Sequence, residues 1–168
     1  MRKIYFLASL LVTLSGGVHA DEPIATPSGD IVLTVSGDVT QTNFDNSIVL
    51  DVGLLSEMPS ESFKTTTIWT ETEHTFLGVP LAEFLNQFGG DVTLVKASAI
   101  NDYTVEIPVD SITDTAPIIA YLMDEEPMSR RQKGPLWIVY PYDSDAKYRT
   151  EVVYSRSIWQ LDRLELVR

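Results

Sequence analysis

Two short segments in the second half of the chain are almost entirely apolar, and they constrain the fold more than any other feature. They are Ile118–Met123 (IIAYLM) and Leu136–Tyr140 (LWIVY). A strand with one face in solvent alternates apolar and polar residues, whereas a continuous apolar run is typical of a strand covered on both faces. The chain is therefore predicted to bury these two strands inside its fold.

The other predicted elements are mostly strands, with one clear helix. Residues 81–88 (LAEFLNQF) repeat apolar side chains at i, i+3, i+4 and i+7, which predicts an amphipathic helix. Pro80 suits its first turn and Gly89-Gly90 its end. Strands are predicted over residues 31–35, 63–70, 92–97, 103–107 and 151–158, with a short helical turn over residues 111–116. This mixture predicts an α+β, mostly-β domain with a mixed sheet and a few short helices.

The first twenty residues are predicted to be a cleaved secretory signal peptide. Arg2 and Lys3 precede the apolar run of residues 4–14, and Val18-His19-Ala20 is a small-residue cleavage site. The run is shorter than a membrane span requires, so we expect no membrane insertion. Cleavage after Ala20 would release a single domain, residues 21–168, into the bacterial periplasm.

The charge and the absence of cysteine argue against several classes of function. Without the signal peptide, ten basic residues face 24 acidic ones, a net charge of −14 that repels phosphate backbones and argues against a nucleic-acid partner. The sequence has no Cys, which excludes a thiol nucleophile and a thiolate metal site. His74, the one His of the predicted mature chain, lies between Glu73 and Thr75 and is expected on the surface rather than as a catalytic base.

Trp69 and Glu71 are the first candidates for a binding site. Aromatic side chains usually belong to the core, but Trp69 has the polar neighbours Thr67 and Thr70. At a strand end it would offer a stacking surface for a flat heterocycle, and Glu71 would accept hydrogen bonds from ring amino groups. Tyr121, one of several aromatic residues near strand ends, is included with them.

Two polar segments are further candidates, each with an alternative. Asn101-Asp102-Tyr103 is a predicted turn between strands, where Asn and Asp also occur for conformational reasons alone. Arg130 and Arg131 belong to a predicted loop, Ser129–Lys133, that carries three basic residues in an acidic chain. The loop is either a solvated charge run or a set of guanidinium groups that face a planar or anionic ligand.

Three segments resemble the sulfite-oxidase fold, that is, the family of oxidoreductase molybdopterin-binding domains. They are residues 76–90, which contain FLGVPL and end in FGG, residues 99–103 (AINDY) and residues 134–141 (GPLWIVYP). Their order and spacing carry the resemblance, which extends from about residue 29 to residue 166. It implies the fold of that family, with a pocket that holds a pterin.

Catalytic members of the family bind molybdenum through a Cys thiolate that follows a strand resembling residues 65–70, and this chain has no Cys. The chain is therefore similar to the non-catalytic, PruR-like branch of periplasmic proteins, which implies a reduced pterin without molybdenum. By position, Trp69 lies near the missing Cys, residues 101–103 match the pocket turn, and Arg130 and Arg131 match the loop that borders the pocket.

The resemblance also implies a partner. In that branch the pterin-loaded protein is expected to act on the periplasmic domain of a membrane GGDEF/EAL-type diguanylate cyclase/phosphodiesterase, and so to control cyclic-di-GMP, surface attachment and biofilm. The alternatives are a molybdopterin-dependent oxidoreductase that lacks the thiolate and an adaptor domain whose pocket has closed.

Overall fold

The computed structural model describes residues 23–168, so the predicted signal peptide lies outside the described residues. The strands are β1 (Leu33–Gly37), β2 (Ile48–Leu50), β3 (Glu61–Thr65), β4 (His74–Pro80), β5 (Leu94–Ala99), β6 (Thr104–Pro108), β7 (Ile118–Met123), β8 (Glu126–Pro127), β9 (Leu136–Val139) and β10 (Trp159–Val167). The α-helices are α1 (Val52–Glu57), α2 (Leu81–Phe88) and α3 (Glu151–Arg156). Single 3-10 turns cover Val109–Ser111, Arg130–Gln132 and Ala146–Tyr148.

These strands form one mixed sheet. Its main path runs β2-β1-β10-β9-β7-β4-β3, while β5 pairs with β10 and β6, and β8 pairs with β7. The pairing of β1 with β10 is parallel, and the other pairings between these strands are antiparallel. The predicted α+β, mostly-β mixed sheet with short helices is confirmed.

The two apolar segments are the covered strands that the sequence predicts. β7 and β9 lie side by side between β4 and β10, and every residue of β9 is buried. Trp137 of β9 packs edge-on against Phe76 of β4, with ring centroids 5.4 Å apart and no exposed surface on either residue. Burial of a side chain of this size stabilises the fold by about 2–3 kcal/mol.

Helix α2 has the predicted bounds. Leu81, Phe84 and Phe88 form its buried face, and Pro80 precedes its first residue. The helix ends at Gly89, whose amide donates to the Leu85 carbonyl at 2.8 Å. The amphipathic spacing therefore matches the buried face observed.

The predicted strand over residues 151–158 is wrong, because most of this segment is helix α3. Thr150 Oγ1 accepts a hydrogen bond from the Val153 amide at 3.2 Å and caps the first turn. That cap outweighs the strand propensity of Val152 and Val153, whose preference depends on context. The last strand begins only at Trp159, which places this Trp at a strand end.

The bounds of other elements also differ from the sequence prediction, and two of them differ most. Strand β3 ends at Thr65, so residues 66–70 lie in a loop, because the Asp143 carboxylate takes the hydrogen bonds of the Thr66 amide and hydroxyl. The helical turn predicted over residues 111–116 lies earlier, at Val109–Ser111. Ser111 Oγ donates to the Pro108 carbonyl at 2.6 Å and closes it there. Across residues 23–168, no helix is both long and apolar enough to cross a membrane.

Candidate functional site

A cavity of about 320 Å³ opens where β10 begins, and we call it the Trp69 cavity. Its wall combines the loop after β3, the turn between β5 and β6, the end of α3 and the first residues of β10. The lining residues are Trp69, Ala99, Asn101, Tyr103, Tyr154, Ser155, Ser157, Ile158, Trp159 and Gln160. The volume lies at the lower end of the range for small-molecule sites.

Trp69 is the centre of an aromatic cluster that forms one side of the cavity. Its ring centroid lies 5.4 Å from Trp159, 5.9 Å from Tyr154, 5.9 Å from Trp137 and 6.3 Å from Tyr142, each in an edge-to-face arrangement. Edge-to-face contacts fix ring orientation as well as burying area. The cavity therefore has an aromatic wall whose rings are held in fixed orientations.

Hydrogen bonds around Ser157 hold the base of this wall. The Trp137 indole N–H donates to the Ser157 carbonyl at 3.1 Å, and the Tyr142 hydroxyl donates to Ser157 Oγ at 2.7 Å. Ser157 Oγ in turn donates to the Val153 carbonyl at 2.8 Å. Burial raises the pKa of the Tyr142 phenol, so it stays protonated and keeps its donor role.

The turn Asn101-Asp102-Tyr103 contributes Asn101 and Tyr103 to the cavity lining, where it forms a lip, and is held by Arg163. Arg163 Nη2 donates to the Ala99 carbonyl at 2.9 Å and to Asp102 Oδ1 at 2.8 Å. Asp102 adopts a left-handed conformation, with φ of 66°, which Asp tolerates better than most residues. Asn101 Oδ1 accepts from the Tyr103 amide at 3.2 Å, which leaves the Asn101 NH₂ group as a donor at the cavity.

The loop that carries Trp69 is tied down by Asp143. Its carboxylate accepts from the Thr66 amide at 2.5 Å, from Thr66 Oγ1 at 2.9 Å and from Thr65 Oγ1 at 3.3 Å. The Thr66 amide is the main reason that the pKa of Asp143 lies below its ordinary value, with the hydroxyl groups adding to it. Farther along, the Trp69 amide donates to Thr67 Oγ1 at 3.1 Å.

Gln160 joins the cavity to the segment Ser129–Lys133, which we call the basic loop. Its amide N–H donates to the Lys133 carbonyl at 2.9 Å, and its side-chain Nε2 donates to the Arg130 carbonyl at 2.8 Å. The Lys133 ammonium lies 4.8 Å from the centroid of the Trp159 ring, a cation–π contact on the same wall. The loop is therefore packed beside the cavity.

The structure brings together three of the sequence candidates, Trp69, Asn101 and Tyr103, in one cavity. The others lie outside its lining. Glu71 is exposed on the loop beyond Trp69, and Asp102 points to Arg163. Tyr121 is buried within β7 at 5 % exposure. Arg130 and Arg131 are exposed on the 3-10 turn of the basic loop, and the Arg130 carbonyl accepts the Gln160 hydrogen bond that links this turn to the wall.

Sequence reasoning missed Trp159, Tyr154 and Gln160 as site residues. The sequence prediction placed a strand over residues 151–158, and the side chains of such a strand would alternate between the core and the solvent. It therefore gave no reason to place these three residues at a cavity. The sequence does carry a signal for the helix, since Thr150 followed by Glu151 is typical of a helix start. Arg163 and Asp143 act through tertiary contacts with residues far away in sequence, and no local pattern marks them.

His74 lies in β4 and is more constrained than the surface residue that the sequence predicts. Its Nδ1 lies 2.6 Å from Asp124 Oδ2, and its Nε2 lies 3.2 Å from Thr72 Oγ1. The hydrogen bond to His74, followed by that from the Thr75 amide, lowers the pKa of Asp124. His74 does not line the Trp69 cavity, so this pair links strand β4 to the turn after β7.

Comparison with known protein families identifies the family of this chain. No significant match was found among curated proteins. The family model for the oxidoreductase molybdopterin binding domain matches residues 52–147, more than half of the chain. The matched region includes Trp69, the turn at Asn101–Tyr103 and the basic loop. The chain therefore belongs to the family of oxidoreductase molybdopterin-binding domains.

Proposed function

We propose that this protein is an exported, non-catalytic pterin-binding protein that works in signalling. The observation that supports the proposal best is the Trp69 cavity, whose aromatic wall faces an amide and a phenol at its mouth. The family is one of molybdopterin-binding domains, so a pterin is the ligand class to be expected in a pocket of this fold.

The lining suits a flat, hydrogen-bonding heterocycle. Trp69, Trp159 and Tyr103 offer aromatic surface for the ring. The free NH₂ group of Asn101 is placed to donate to a ring carbonyl or nitrogen at the edge. A pterin presents such a face and such an edge, so the cavity residues fit the organic part of the family's cofactor.

The residues do not fit thiolate-held molybdenum. The sequence has no Cys, so the soft sulfur donor that the protein would supply to the metal is missing. In the described part of the chain, no three His, Asp or Glu side chains group as metal ligands. On this donor chemistry we propose a reduced pterin as the ligand and no redox reaction at molybdenum.

The proposed partner follows from the resemblance to the PruR-like branch. The pterin-loaded protein would bind the periplasmic domain of a membrane diguanylate cyclase/phosphodiesterase and thereby set cyclic-di-GMP levels and biofilm formation. The predicted signal peptide would bring the protein to the periplasm, where such a domain is accessible. A molybdopterin-dependent oxidoreductase remains the alternative that the test below distinguishes.

The test is an analysis of what the protein carries when it is purified from the cells that export it. We expect denaturation followed by iodine oxidation, which converts a reduced pterin to its fluorescent aromatic form, to yield a pterin in near one-to-one ratio, without stoichiometric molybdenum by elemental analysis. Stoichiometric molybdenum would support the oxidoreductase instead. Protein that carries no pterin, and takes none up when tetrahydrobiopterin is added, would contradict the proposal.

Arg163 should matter for binding although it does not line the cavity. The Arg163→Gln variant loses both hydrogen bonds that fix the Asn101–Tyr103 turn, so we expect tetrahydrobiopterin to bind about tenfold more weakly. Arg163→Lys, which keeps the charge but not the planar fork, should lie in between. Arg168→Gln, which breaks exposed ion pairs with Asp38 and Asp91, is the matched control and should bind normally.

Asp143 should hold the Trp69 loop in place independently of pH down to about pH 5. Its folded pKa is lowered, so its contacts with Thr66 are complete above the ordinary value of 3.8 and are lost as the pH falls through the lower folded value. We therefore expect affinity for tetrahydrobiopterin to stay constant from pH 7 down to about pH 5 in the wild type. Asp143→Ala should bind about tenfold more weakly throughout that range, whereas Asp110→Ala should not. Equal affinities of Asp143→Ala and the wild type would show that the tether does not position Trp69.

A further inference from the structure

Exposed apolar surface at the Trp69 cavity extends beyond the residues that line it. Seven large apolar side chains are exposed in residues 23–168, and three of them belong to the cavity region: Tyr103 and Trp159 line the cavity, and Ile100 lies between the lining residues Ala99 and Asn101. Tyr103 is 58 % exposed and Trp159 36 %, although both also line the cavity. Ile100 is tied to the same place, because its amide donates to the Gln160 carbonyl at 3.0 Å. We call these three residues the rim.

Positive charge lies directly beside the rim. Arg130, Arg131 and Lys133 of the basic loop take part in none of the ion pairs formed among the described residues. Gln160 holds the loop against the cavity wall through two hydrogen bonds, and Lys133 lies over Trp159. Asp102 at the lip and the nearby Asp162 share Arg163, at 2.8 and 3.3 Å, so one negative charge remains beside the three positive charges of the basic loop.

This face therefore differs in sign from the chain as a whole, which carries a net charge of −12. Grouped exposed apolar residues are typical of interaction sites, and a charged border selects partners of the opposite sign. We propose that the rim and the basic loop form a docking face for a protein surface that has an apolar centre bordered by carboxylates. An anionic membrane or a polyanion fits less well, because the overall negative charge of this chain repels an extended anionic surface.

The proposal rests on the proposed function and adds a regulatory link to it. Tyr103 and Trp159 are shared, since each lines the cavity and is also exposed at the docking face. A ligand held against these rings changes the surface that the partner meets. Binding free energies are reciprocal, so the partner should also strengthen ligand binding by the same factor as the ligand strengthens docking.

The experiment places a photo-crosslinking amino acid, p-benzoylphenylalanine, at Ile100 of the full exported protein in the cells that produce it. Ile100 lies on the rim but not in the cavity lining, so the cavity stays intact. The matched probe position is Phe44, which is 61 % exposed and far from the rim in sequence. We expect a protein adduct from Ile100 and none from Phe44.

Charge reversal then tests the chemistry of the partner. Arg130→Glu/Arg131→Glu should reduce the Ile100 adduct at least about tenfold. Lys147→Glu/Arg149→Glu, which makes the same change in net charge on another exposed segment, should leave it within about twofold. Replacement of carboxylates by Lys on the identified partner should restore docking to the Arg130→Glu/Arg131→Glu variant.

Three results would overturn the docking face: equal adducts from Phe44, equal losses in both charge-reversed variants, or cosedimentation with phosphatidylglycerol vesicles without a protein adduct. Titration of the Arg130→Glu/Arg131→Glu variant with tetrahydrobiopterin separates this proposal from the previous one. Normal affinity of this variant for tetrahydrobiopterin, together with loss of the Ile100 adduct, would support the docking face. If the wild type binds no pterin, the proposed function fails, while the adducts still decide whether the face exists.

Discussion

Replacement of Trp69 by Ala is expected to weaken tetrahydrobiopterin binding about 100-fold, the largest loss of affinity among single substitutions in this protein. Trp69 supplies ring surface to the cavity and also orients Trp159 and Tyr154 through edge-to-face contacts at 5.4 and 5.9 Å. Stacking of a heterocycle on an aromatic side chain contributes about 1–3 kcal/mol, and loss of the neighbours' orientation adds to it.

The same substitution should lower the free energy of unfolding by about 3 kcal/mol, because Trp69 is partly buried in the aromatic cluster. Binding must therefore be measured by calorimetry well below the melting temperature, with circular dichroism to show that the variant is folded. Trp69→Phe keeps an aromatic face and should recover most of the affinity. A folded Trp69→Ala variant with wild-type affinity would show that the ligand lies elsewhere.

Replacement of Gly78 by Ala is expected to cost about 3 kcal/mol or more of stability and to lower the melting temperature by about 10 °C. A Cβ atom at this position would lie 2.2 Å from the Ile119 carbonyl oxygen and 2.6 Å from the Ala120 Cα. Both are backbone atoms of β7, so no side-chain rotation relieves the contact. The register of β4 against β7 shifts between Leu77 and Gly78, and Gly permits this close approach.

Gly53→Ala in α1 is the control for this substitution. There the new Cβ would lie 3.2 Å from Asp51 Oδ1, a side-chain atom, and Ala is the better helix former. We expect its melting temperature to stay close to that of the wild type. A melting temperature of Gly78→Ala equal to that of Gly53→Ala would mean that β4 can move away from β7, contrary to the packing described.

The parts of the fold that could be predicted from the sequence are those where side-chain pattern and environment agree. Ile118–Met123 and Leu136–Val139 are continuous apolar runs because both faces are covered, and Leu81–Phe88 shows helical spacing because one face packs on the core. The strand predicted over residues 151–158 was wrong, since the helix cap at Thr150 outweighs the strand preference of the residues that follow it.

Only those residues of the candidate site that a local sequence pattern marks could be predicted. Trp69 stands out among polar neighbours, and the Asn101–Tyr103 turn matches a segment of the family that the chain resembles; of these residues Trp69, Asn101 and Tyr103 line the cavity. Asp143 reaches Thr66, and Arg163 reaches Asp102, across long sequence separations. Such tertiary hydrogen bonds leave no periodic pattern in the sequence, so only the structure identifies the residues that hold the site in shape.

The central claim is that the Trp69 cavity binds a pterin, and calorimetric titration of the purified protein with tetrahydrobiopterin tests it most directly. We predict saturable one-to-one binding that falls at least about tenfold in Asn101→Ala/Tyr103→Ala and is unchanged in Phe44→Ala, an exposed aromatic residue outside the cavity. Both lip residues are exposed, so this variant should fold normally. Absence of binding by the wild type, or equal affinity of the wild type and the lip variant, would contradict the claim.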